Sequence, residues 1–372
     1  MLYQQNDKIK MKKYIISSLL LLGTIHILQA QENVEIKNPL TISGYVEVYS
    51  QYDFSNPKNN SRPGYVYSHH RNNEVNLNLG LIKLNYESDR IRTNLALAAG
   101  TYMNANYAAE PVTLKNIYEA NVGIKISEKH NLWIDAGVLP SHIGFESAIS
   151  KDCYTLTRSI GADNSPYFET GAKVSYTTDD GKWMMSGLVL NGWQRIQRID
   201  GNSTPAFGHQ LTYRPTDKIT LNSSSFIGND KADSVRQMRY FHNFYGQFQL
   251  NDKFTVITGF DIGAEQKEKG SSHYNTWFTP VLIASYKPHD DFAIALRGEY
   301  YQDKKGIIIN TGTANGFQTF GYSFSVDYVV FSNLVWRTEL KRLQSKDAIF
   351  ADRNDSLEKD NMIGITSLAL RF

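Results

Sequence analysis

Met362-Ile-Gly-Ile-Thr-Ser-Leu-Ala-Leu-Arg-Phe372 is the stretch of this 372-residue chain that decides its fold. As an extended segment it places Leu368, Leu370 and Phe372 on one face and Arg371 on the other, because successive side chains of a β-strand point to opposite faces. The ends of soluble domains usually fray into water, whereas a closed membrane barrel needs its last strand to pair with its first. The stretch therefore predicts the closing strand of a membrane barrel, and an ordinary strand of a soluble β-domain is the alternative.

The same alternation of apolar and polar residues recurs along the chain in stretches of about ten to fourteen residues, a period of two that indicates half-buried strands. In one of these stretches the apolar phase slips by a single residue between Leu81 and Ile82, which predicts a β-bulge. We expect about sixteen strands, near residues 41–52, 74–86, 90–101, 115–127, 130–139, 167–178, 182–192, 207–215, 218–228, 238–250, 253–265, 274–287, 290–302, 317–328, 331–343 and 361–372.

The connections between these strands alternate between short and long. The seven short ones lie at 88–89, 127–130, 178–182, 215–217, 251–252, 288–290 and 329–331. The eight long ones lie at 53–73, 102–114, 140–166, 193–206, 229–237, 266–273, 303–316 and 344–360. Short periplasmic turns and longer extracellular loops are typical of barrels in the Gram-negative outer membrane. The fold class predicted is therefore all-β, a transmembrane antiparallel up-and-down barrel, because a soluble sandwich gives no reason for such regular alternation.

A basic and then apolar segment near the start predicts export of the chain. Met11-Lys-Lys-Tyr14 is basic, the segment from Ile15 to Leu28 is mainly apolar, and Ala30 offers a cleavage site. This order is that of a secretory signal peptide, and a short buried helix is the alternative. We expect three parts: an N-terminal extension and signal peptide at 1–30, a short periplasmic lead at 31–40, and a single barrel domain at 41–372. Either Met1 or Met11 is the start of translation.

Composition excludes several classes of protein. No run of 18 apolar residues follows Leu28, so no spanning helix is predicted. The 39 basic and 37 acidic residues leave a net charge of +2, without the basic excess that nucleic-acid binding requires. The mean hydropathy of −0.41 still permits a membrane barrel, since only alternate residues of each strand face lipid. The single cysteine, Cys153, excludes an internal disulfide framework.

The strand face opposite the apolar one carries charges of both signs. An arginine or lysine on the lipid face near the bilayer midplane costs roughly 2–4 kcal/mol, so these residues are expected to face inward. A barrel of about sixteen strands leaves room for an aqueous channel. The sequence thus predicts a water-filled pore, with the following strand residues in its lumen: Glu119, Lys125, Asp261, Arg297, Glu299, Arg337, Glu339 and Lys341.

The longest connection, 140–166, mixes apolar anchors such as Ile143 and Phe145 with charged residues. A loop folded into the lumen would pack those anchors against the wall and present its charges to the channel, where charge rings set permeant preference. We therefore predict that this loop narrows the pore, and a loop packed outside on its neighbours is the alternative. The candidate constriction residues of the loop are Glu146, Lys151, Asp152 and Arg158.

Three segments, in this order, resemble the OmpL-like β-barrel porin family: Asp135-Ala-Gly-Val-Leu-Pro-Ser-His-Ile-Gly-Phe-Glu146, Leu190-Asn-Gly-Trp-Gln194 and Pro205-Ala-Phe-Gly-His-Gln-Leu-Thr-Tyr-Arg-Pro215. With the last strand, the resemblance covers nearly the whole mature chain. It implies an outer-membrane porin and supplies neither a defined permeant nor catalytic residues. The strand Met362–Phe372 is also similar to the C-terminal signal of outer-membrane barrels, which implies contact with the barrel-assembly machinery. By family analogy, a homo-trimer is an option.

Passive diffusion of small hydrophilic solutes is the function expected from these features, without an enzyme activity, a cofactor or a metal, and with outer-membrane lipids around the barrel. A non-conducting barrel that serves as an adhesin or structural protein is the first alternative. In that case inward pairs such as Arg297 with Glu299 or Glu339 would close the lumen. Conductance across a lipid bilayer discriminates between the two functions.

An outer-membrane enzyme is the second alternative. A barrel lipase of the phospholipase type would resemble a His-x-Ser pair on one strand face, and no histidine of this chain has a serine two residues later. His69 and His70 are adjacent in a long connection, but no third ligand follows at a matching spacing. Exposed loop histidines are therefore favoured over a metal site.

Overall fold

Residues 39–372 of the chain are described by the computed structural model; the predicted signal peptide and nearly all of the predicted lead lie outside this range. The barrel strands are β1 (Leu40–Asp53), β2 (Val75–Glu87), β3 (Ile91–Ala99), β4 (Ile117–Lys125), β5 (Asn131–Pro140), β6 (Phe168–Thr177), β7 (Trp183–Leu190), β8 (Ala206–Thr216), β9 (Ile219–Asn229), β10 (Met238–Gln249), β11 (Phe254–Gln266), β12 (Tyr274–His289), β13 (Phe292–Asp303), β14 (Phe317–Phe331), β15 (Leu334–Ser345) and β18 (Asp360–Arg371). Two short strands, β16 (Phe350–Ala351) and β17 (Leu357–Glu358), form a separate hairpin.

The sixteen barrel strands form one closed antiparallel sheet in which each strand pairs with its neighbours along the chain. The sheet closes where β18 pairs with both β15 and β1. At this seam Gly44 N donates to Phe372 O at 2.7 Å, and Phe372 N donates to Gly44 O at 3.0 Å. A side chain at position 44 would collide with the Phe372 ring, so glycine permits the close approach. The prediction of about sixteen antiparallel strands closed by the last one is confirmed.

The predicted alternation of faces sorts the side chains into an apolar outer surface and a polar inner one. On β15, Trp336 and Leu340 are about half exposed on the outside, at 51% and 46%, whereas Arg337 and Glu339 between them are buried inside. The outer row contacts lipid in a membrane barrel, and the inner row faces the bore. The same alternation runs through β13 and β14, where the predicted facing is also confirmed.

A bulge interrupts the pairing of β1 with β2, as predicted, but three residues earlier than the sequence indicated. Glu47 pairs with Leu79 and Val48 pairs with Leu77, which leaves Asn78 as the extra residue. The difference arises because Leu79 and Leu81 are apolar and yet point inward, where they join a buried cluster. Apolar character alone therefore did not identify the lipid face of β2.

Eight long loops emerge at one end of the barrel and short turns join the strands at the other end. The loops are named L1 (54–74), L2 (100–116), L3 (141–167), L4 (191–205), L5 (230–237), L6 (267–273), L7 (304–316) and L8 (346–359). L2 contains the helix α1 (Thr101–Asn106) and L3 contains the single-turn helix α2 (Ile160–Asp163). Within residues 39–372, no helix combines the length and the apolar content that crossing a membrane would require.

Two apolar clusters lie inside the wall, where loop side chains pack on inward strand residues. One cluster joins Tyr45, Leu81 and Val138 of the wall to α1 and to Ala148 of L3. The other lies near the long-loop end of β9 to β15 and includes Phe226 and Trp277. These clusters show that part of the bore is filled by protein, so that any channel is narrower than the barrel itself.

Candidate channel constriction

L3 folds into the barrel and crosses the bore. Near its start, His142 Nδ1 lies 2.6 Å from a carboxylate oxygen of Glu169 on β6, and His142 Nε2 lies 2.8 Å from the carbonyl oxygen of Ser225 on β9. Two residues later Gly144 N donates to Asn243 Oδ1 on β10 at 3.2 Å. The predicted inward fold of this connection is therefore confirmed.

The middle of L3 is held by ionic side chains of β13 and β15. Arg297 donates to Thr155 Oγ1 and to the carbonyl oxygen of Thr157, both at 2.6 Å. Glu339 accepts the N–H of Thr157 at 2.8 Å, and Lys341 donates to the carbonyl oxygen of Arg158 at 2.9 Å. The inward charges of this wall thus bind the backbone of the loop directly.

Two further residues of this wall complete the attachment. Glu299 accepts the N–H of Ile160 and lies 3.2 Å from Arg297 and 3.3 Å from Lys341. Arg337 donates to the carbonyl oxygen of Cys153 at 2.9 Å and forms a two-bond pair with Asp327 at 2.8 Å. Arg297, Arg337 and Lys341 therefore balance Glu299, Glu339 and Asp327 within this attachment site.

The tip of L3 reaches the short-turn end of the barrel. Ser150 Oγ donates to Glu47 of β1 at 2.6 Å. Lys151 Nζ donates to the carbonyl oxygen of Asn333, in the turn between β14 and β15, at 2.9 Å. Asp152 pairs with Arg371 of β18 at 2.6 Å. Lys151 and Asp152 consequently lie at the exit of the bore rather than at its middle.

Glu146 and Arg158 brace the loop internally. Glu146 accepts the N–H of Ser159 at 3.1 Å, and Arg158 donates to the carbonyl oxygens of Leu156 at 2.6 Å and of Ala148 at 3.3 Å. Both side chains are buried. Because these bonds join the two arms of L3, they fix the shape of the loop.

L1 covers L3 from the long-loop end. The carbonyl oxygen of Tyr65 accepts a hydrogen bond from Asn164 at 3.0 Å, and Ser68 Oγ donates to Asp163 at 3.3 Å. Burial raises the pKa of Asp163 to about 7, although Lys341 and Arg158 favour its charged form. Near neutral pH this carboxyl is therefore only partly ionised, unlike an ordinary aspartate.

The wall formed by β2 to β6 carries two ion pairs whose members, among the described residues, do not bond to L3; on this wall Glu169 of β6 is the carboxylate that holds His142. Lys83 lies 2.6 Å from Glu119, and Arg92 forms a two-bond pair with Asp135 at 2.7 and 2.6 Å. The Lys83 and Arg92 side chains are 31% and 28% exposed, whereas those of Arg297 and Glu339 are fully buried. Water thus reaches the two basic side chains, while Glu119 and Asp135 are buried.

The candidate residues from the sequence fall into four places. Six of them meet in one buried network: Glu146, Arg158, Arg297, Glu299, Glu339 and Lys341. Arg337 lies beside it with Asp327, while Lys151 and Asp152 lie at the short-turn end. Glu119 and Lys125 belong to β4 on the other wall. Asp261 is separate, on β11, where Asn243 donates to it at 2.5 Å.

Sequence reasoning missed Lys83, Arg92 and Asp135. The alternation within β2 and β3 places Lys83 and Arg92 inward, because Leu84 and Leu95 lie in the opposite phase of the same strands and face lipid. The slip of phase in β2 obscured this signal. Asp135 begins the first of the three family-like segments, and its bond to Arg92 spans 43 residues, which no local pattern reveals.

The histidines in L1 are bound to protein groups. His69 Nε2 lies 3.1 Å from Glu47, and His70 Nδ1 lies 2.7 Å from the carbonyl oxygen of Val66. In the part of the chain that the structure describes, no group of three or more His, Cys, Asp or Glu side chains could hold a metal ion. These two histidines therefore stabilise the folded loop.

Two strand-separated histidines meet two serines on the outer surface, a combination that the His-x-Ser spacing could not reveal. His209 Nδ1 lies 2.6 Å from Ser225 Oγ, and His209 Nε2 lies 3.3 Å from Ser223 Oγ, which is 3.0 Å from His242 Nε2. Among the described residues, no carboxylate or amide side chain hydrogen-bonds either imidazole. The cluster thus lacks the third group that orients the base in serine hydrolases.

A closed barrel of sixteen strands with an apolar outer surface, charged inner walls and one loop folded into the bore has the architecture of an outer-membrane porin. The chain belongs to the family described as "Putative beta-barrel porin-2, OmpL-like", whose profile matches residues 39–372. No curated protein matches the sequence. The predicted family is therefore confirmed, and the protein is a porin channel of the Gram-negative outer membrane.

Solved structures with the same fold include three outer-membrane proteins, and each comparison covers 90% of this chain. In vitro folded OmpT of Vibrio cholerae, in its trimer form, is 10% identical, with 99% of that chain covered and a TM-score of 0.56. The anion-selective porin from Comamonas acidovorans is 8% identical, with 99% covered and a TM-score of 0.56. The outer membrane channel DcaP of Acinetobacter baumannii is 11% identical, with 97% covered and a TM-score of 0.56. At such low identity the likeness establishes the fold alone.

Proposed function

We propose that small hydrophilic solutes diffuse past L3 along the wall formed by β2 to β6. The observation that carries this proposal is the difference in water access between the two inner walls. Lys83 and Arg92 keep about a third of their side-chain surface open, whereas Arg297 and Glu339 are closed off by L3. A solute needs water along its path, so the path follows the wall on which Lys83 and Arg92 keep their access to water, beside the apolar cluster around α1.

Charges of both signs also line a cavity of about 540 Å³ at the short-turn end of the barrel, beside β10 to β14. Its charged residues are Lys151, Asp152, Asp252, Lys253, Lys287 and Asp327. Opposite charges alternate there, as they do in the Lys83–Glu119 and Arg92–Asp135 pairs. Balanced charge gives weak ion selectivity, because neither sign is favoured along the path.

Reconstitution into a planar bilayer tests the proposal. We expect a stable open level of small conductance and a low exclusion limit for uncharged sugars in liposome swelling. Arg92→Gln should shift the reversal potential in a salt gradient, whereas Leu296→Ala on the lipid face should not. No conductance from correctly folded protein would instead support the non-conducting adhesin or structural barrel, which the buried apolar clusters inside the wall favour.

The finer proposal that the protein is no enzyme rests on its porin family and on the incomplete Ser–His cluster of β8 to β10. We expect no hydrolysis of phospholipid or nitrophenyl esters by the purified protein. Hydrolysis that is lost in both Ser225→Ala and His209→Ala would overturn this proposal.

Partners follow from the same architecture. We propose that the outer surface contacts outer-membrane lipids and that the strand Asp360–Arg371 with Phe372 is recognised by the barrel-assembly machinery. We also propose a homo-trimer, in keeping with the OmpT structure solved in trimer form. Deletion of Phe372 should reduce insertion of the barrel into the outer membrane. Chemical cross-linking in membranes should give trimers. N-terminal sequencing of the exported protein should begin at Gln31 if residues 1–30 are removed.

A further inference from the structure

A cavity of about 300 Å³ lies at the long-loop end, above L3, and we call it the loop pocket. Six loops and two strands line it. The lining residues are Tyr67, Asn106, Ala109, Glu110, Asp163, Asn164, Ser165, Phe168, Trp193, Gln194, Arg195, Asp230, Arg239, Ile307 and Ile308. Its size is at the lower end of the range found for small-molecule sites, roughly 300–1,000 Å³.

The acidic groups of the loop pocket already have partners. Glu110 accepts the N–H of Ile196 at 2.9 Å. Asp230 accepts the N–H of Trp193 at 2.9 Å and lies 3.5 Å from Arg239. Arg239 in turn donates to Glu265 at 2.6 Å. The third acidic residue of the lining, Asp163, accepts a hydrogen bond from Ser68 Oγ at 3.3 Å. These carboxyl groups are therefore committed to the loops and to one arginine.

Arg195 is different from the other charged groups of the loop pocket. Among the described residues, no acceptor lies within hydrogen-bond or ion-pair distance of the Arg195 guanidinium. Its positive charge acts on the Asp230 carboxylate over a longer distance. Its Nε is buried and without a hydrogen-bond partner. A guanidinium presents five donors and matches a carboxylate with two parallel bonds. The loop pocket thus offers one set of strong donors that the protein itself does not use.

Apolar surface faces the same space. Trp193, Phe168, Ile307 and Ile308 contribute rings and aliphatic chains to the lining. Arg239 lies 5.2 Å from the centroid of the Trp193 ring, which helps to hold that ring in place. The loop pocket can therefore contact both parts of a ligand, the anionic group through Arg195 and an apolar part through these side chains.

The loops hold the loop pocket in shape before any ligand arrives. Gln194 accepts the N–H of Tyr167 at 2.8 Å and donates to Asn106 at 3.1 Å, so that L4 is tied to L3 and to α1. Asn191 donates to the carbonyl oxygen of Ile196 at 2.8 Å within L4. A preformed site spares a ligand the entropic cost of ordering the loops.

We propose that the loop pocket binds a small organic carboxylate with an aromatic or aliphatic body, and that Arg195 receives the carboxylate. This proposal deepens the porin function and rests on it for the direction of entry, since the loop pocket opens at the long-loop end. Binding itself does not require conduction.

Calorimetric titration of the detergent-solubilised full-length protein with sodium benzoate tests the site, with benzamide as an uncharged probe of nearly equal shape. We expect saturable benzoate binding and at least tenfold weaker binding of benzamide. Arg195→Gln should weaken benzoate binding at least tenfold, and Arg195→Lys should restore part of it. Arg198→Gln, in the same loop but outside the lining, is the matched control and should bind like the wild type.

The proposal is overturned if wild-type protein does not bind benzoate, if benzamide binds equally well, or if Arg195→Gln binds benzoate unchanged. Because Arg195 forms no hydrogen bond within the described residues, its replacement should leave the fold intact, which heat-modifiable electrophoretic migration will verify. Conductance of the same preparations separates the two proposals. Benzoate binding without conductance would overturn the proposed diffusion path and support the proposed binding site. Conductance without benzoate binding would support the diffusion path and overturn the binding site.

Discussion

The two inner walls of the barrel use similar charged residues in opposite ways. On β13 and β15, Arg297, Glu339 and Lys341 bond to the backbone of L3 and are buried by it. On β2 to β6, Lys83 and Arg92 pair with carboxylates two strands away and remain partly open to water. An inward charge therefore does not by itself mark a residue that a solute meets. What decides its role is whether a loop or water occupies the space in front of it.

The physical cost of losing a charge differs accordingly. Removal of one partner from a buried pair leaves an uncompensated charge and costs roughly 3–5 kcal/mol. An exposed pair contributes far less, about 0–1 kcal/mol, and the Lys83–Glu119 and Arg92–Asp135 pairs lie between these limits because the basic side chain is partly exposed and the carboxylate is buried. Substitutions on the two walls should thus separate the attachment of L3 from the selectivity of the channel.

The largest effect is expected from Arg297→Met. It removes the donors to Thr155 and Thr157 and leaves Glu299 and Glu339 buried without their arginine. We expect a lower temperature of heat-modifiable unfolding and a larger, noisier single-channel conductance as L3 detaches. Arg342→Met, which breaks an exposed pair with Asp360 at 2.6 Å, is the control and should change neither. Wild-type conductance in Arg297→Met would show that L3 does not depend on this wall.

Asp163 provides a second, smaller test, because it is buried like Glu339 but, within residues 39–372, has no arginine or lysine within ion-pair distance. Its pKa of about 7 in the folded protein lies above the ordinary 3.8, so the folded state holds the proton more tightly than the unfolded state. The contribution of Asp163 to the stability of the folded state should therefore be greatest below pH 3.8 and should be lost as the pH rises through about 7. The unfolding temperature from pH 4 to pH 8 should decline less in Asp163→Asn than in the wild type or in Asp360→Asn. Equal slopes in all three proteins would contradict the prediction.

Arg92→Gln should change the ion selectivity of the channel and also lower its stability. The substitution removes one partly exposed positive charge and leaves Asp135 unpaired, so the reversal potential in a potassium chloride gradient should shift toward cations. Because the Asp135 side chain is only 4% exposed, the free energy of unfolding should fall by more than the about 0–1 kcal/mol of an exposed pair and by less than in Arg297→Met. Should the reversal potential not move while conductance persists, solutes do not pass along this wall.

The smallest effect is expected from Asp152→Asn. Asp152 and Arg371 form an exposed pair at the short-turn end, with side chains 40% and 43% exposed. An exposed pair of this kind contributes about 0–1 kcal/mol, and Lys151 still binds the carbonyl oxygen of Asn333 beside it. Unfolding temperature and conductance should match the wild type. A marked increase in conductance would mean that the tip of L3 is held mainly from this end.

The sequence predicted the strands, the alternation of turns and loops and the inward fold of L3, because each depends on local periodicity or local composition. It could not predict which inward charges L3 would cover, since Arg297 and Thr157 are 140 residues apart. The predicted position of the bulge was wrong because Leu79 and Leu81 pack in an apolar cluster inside the barrel and do not face lipid. The lack of a partner for Arg195 was also hidden, because it is a property of several loops together.

The tip of L3 bridges the place where the barrel closes. Ser150 binds Glu47 on β1 through its hydroxyl and Arg337 on β15 through its carbonyl oxygen, and β18 is the single strand between those two. Neighbouring strands are about 4.8 Å apart, so these contacts span a gap of roughly 10 Å. The closing strand is therefore secured twice, by its own ladder of hydrogen bonds on both edges and by an internal loop that ties its two neighbours to each other.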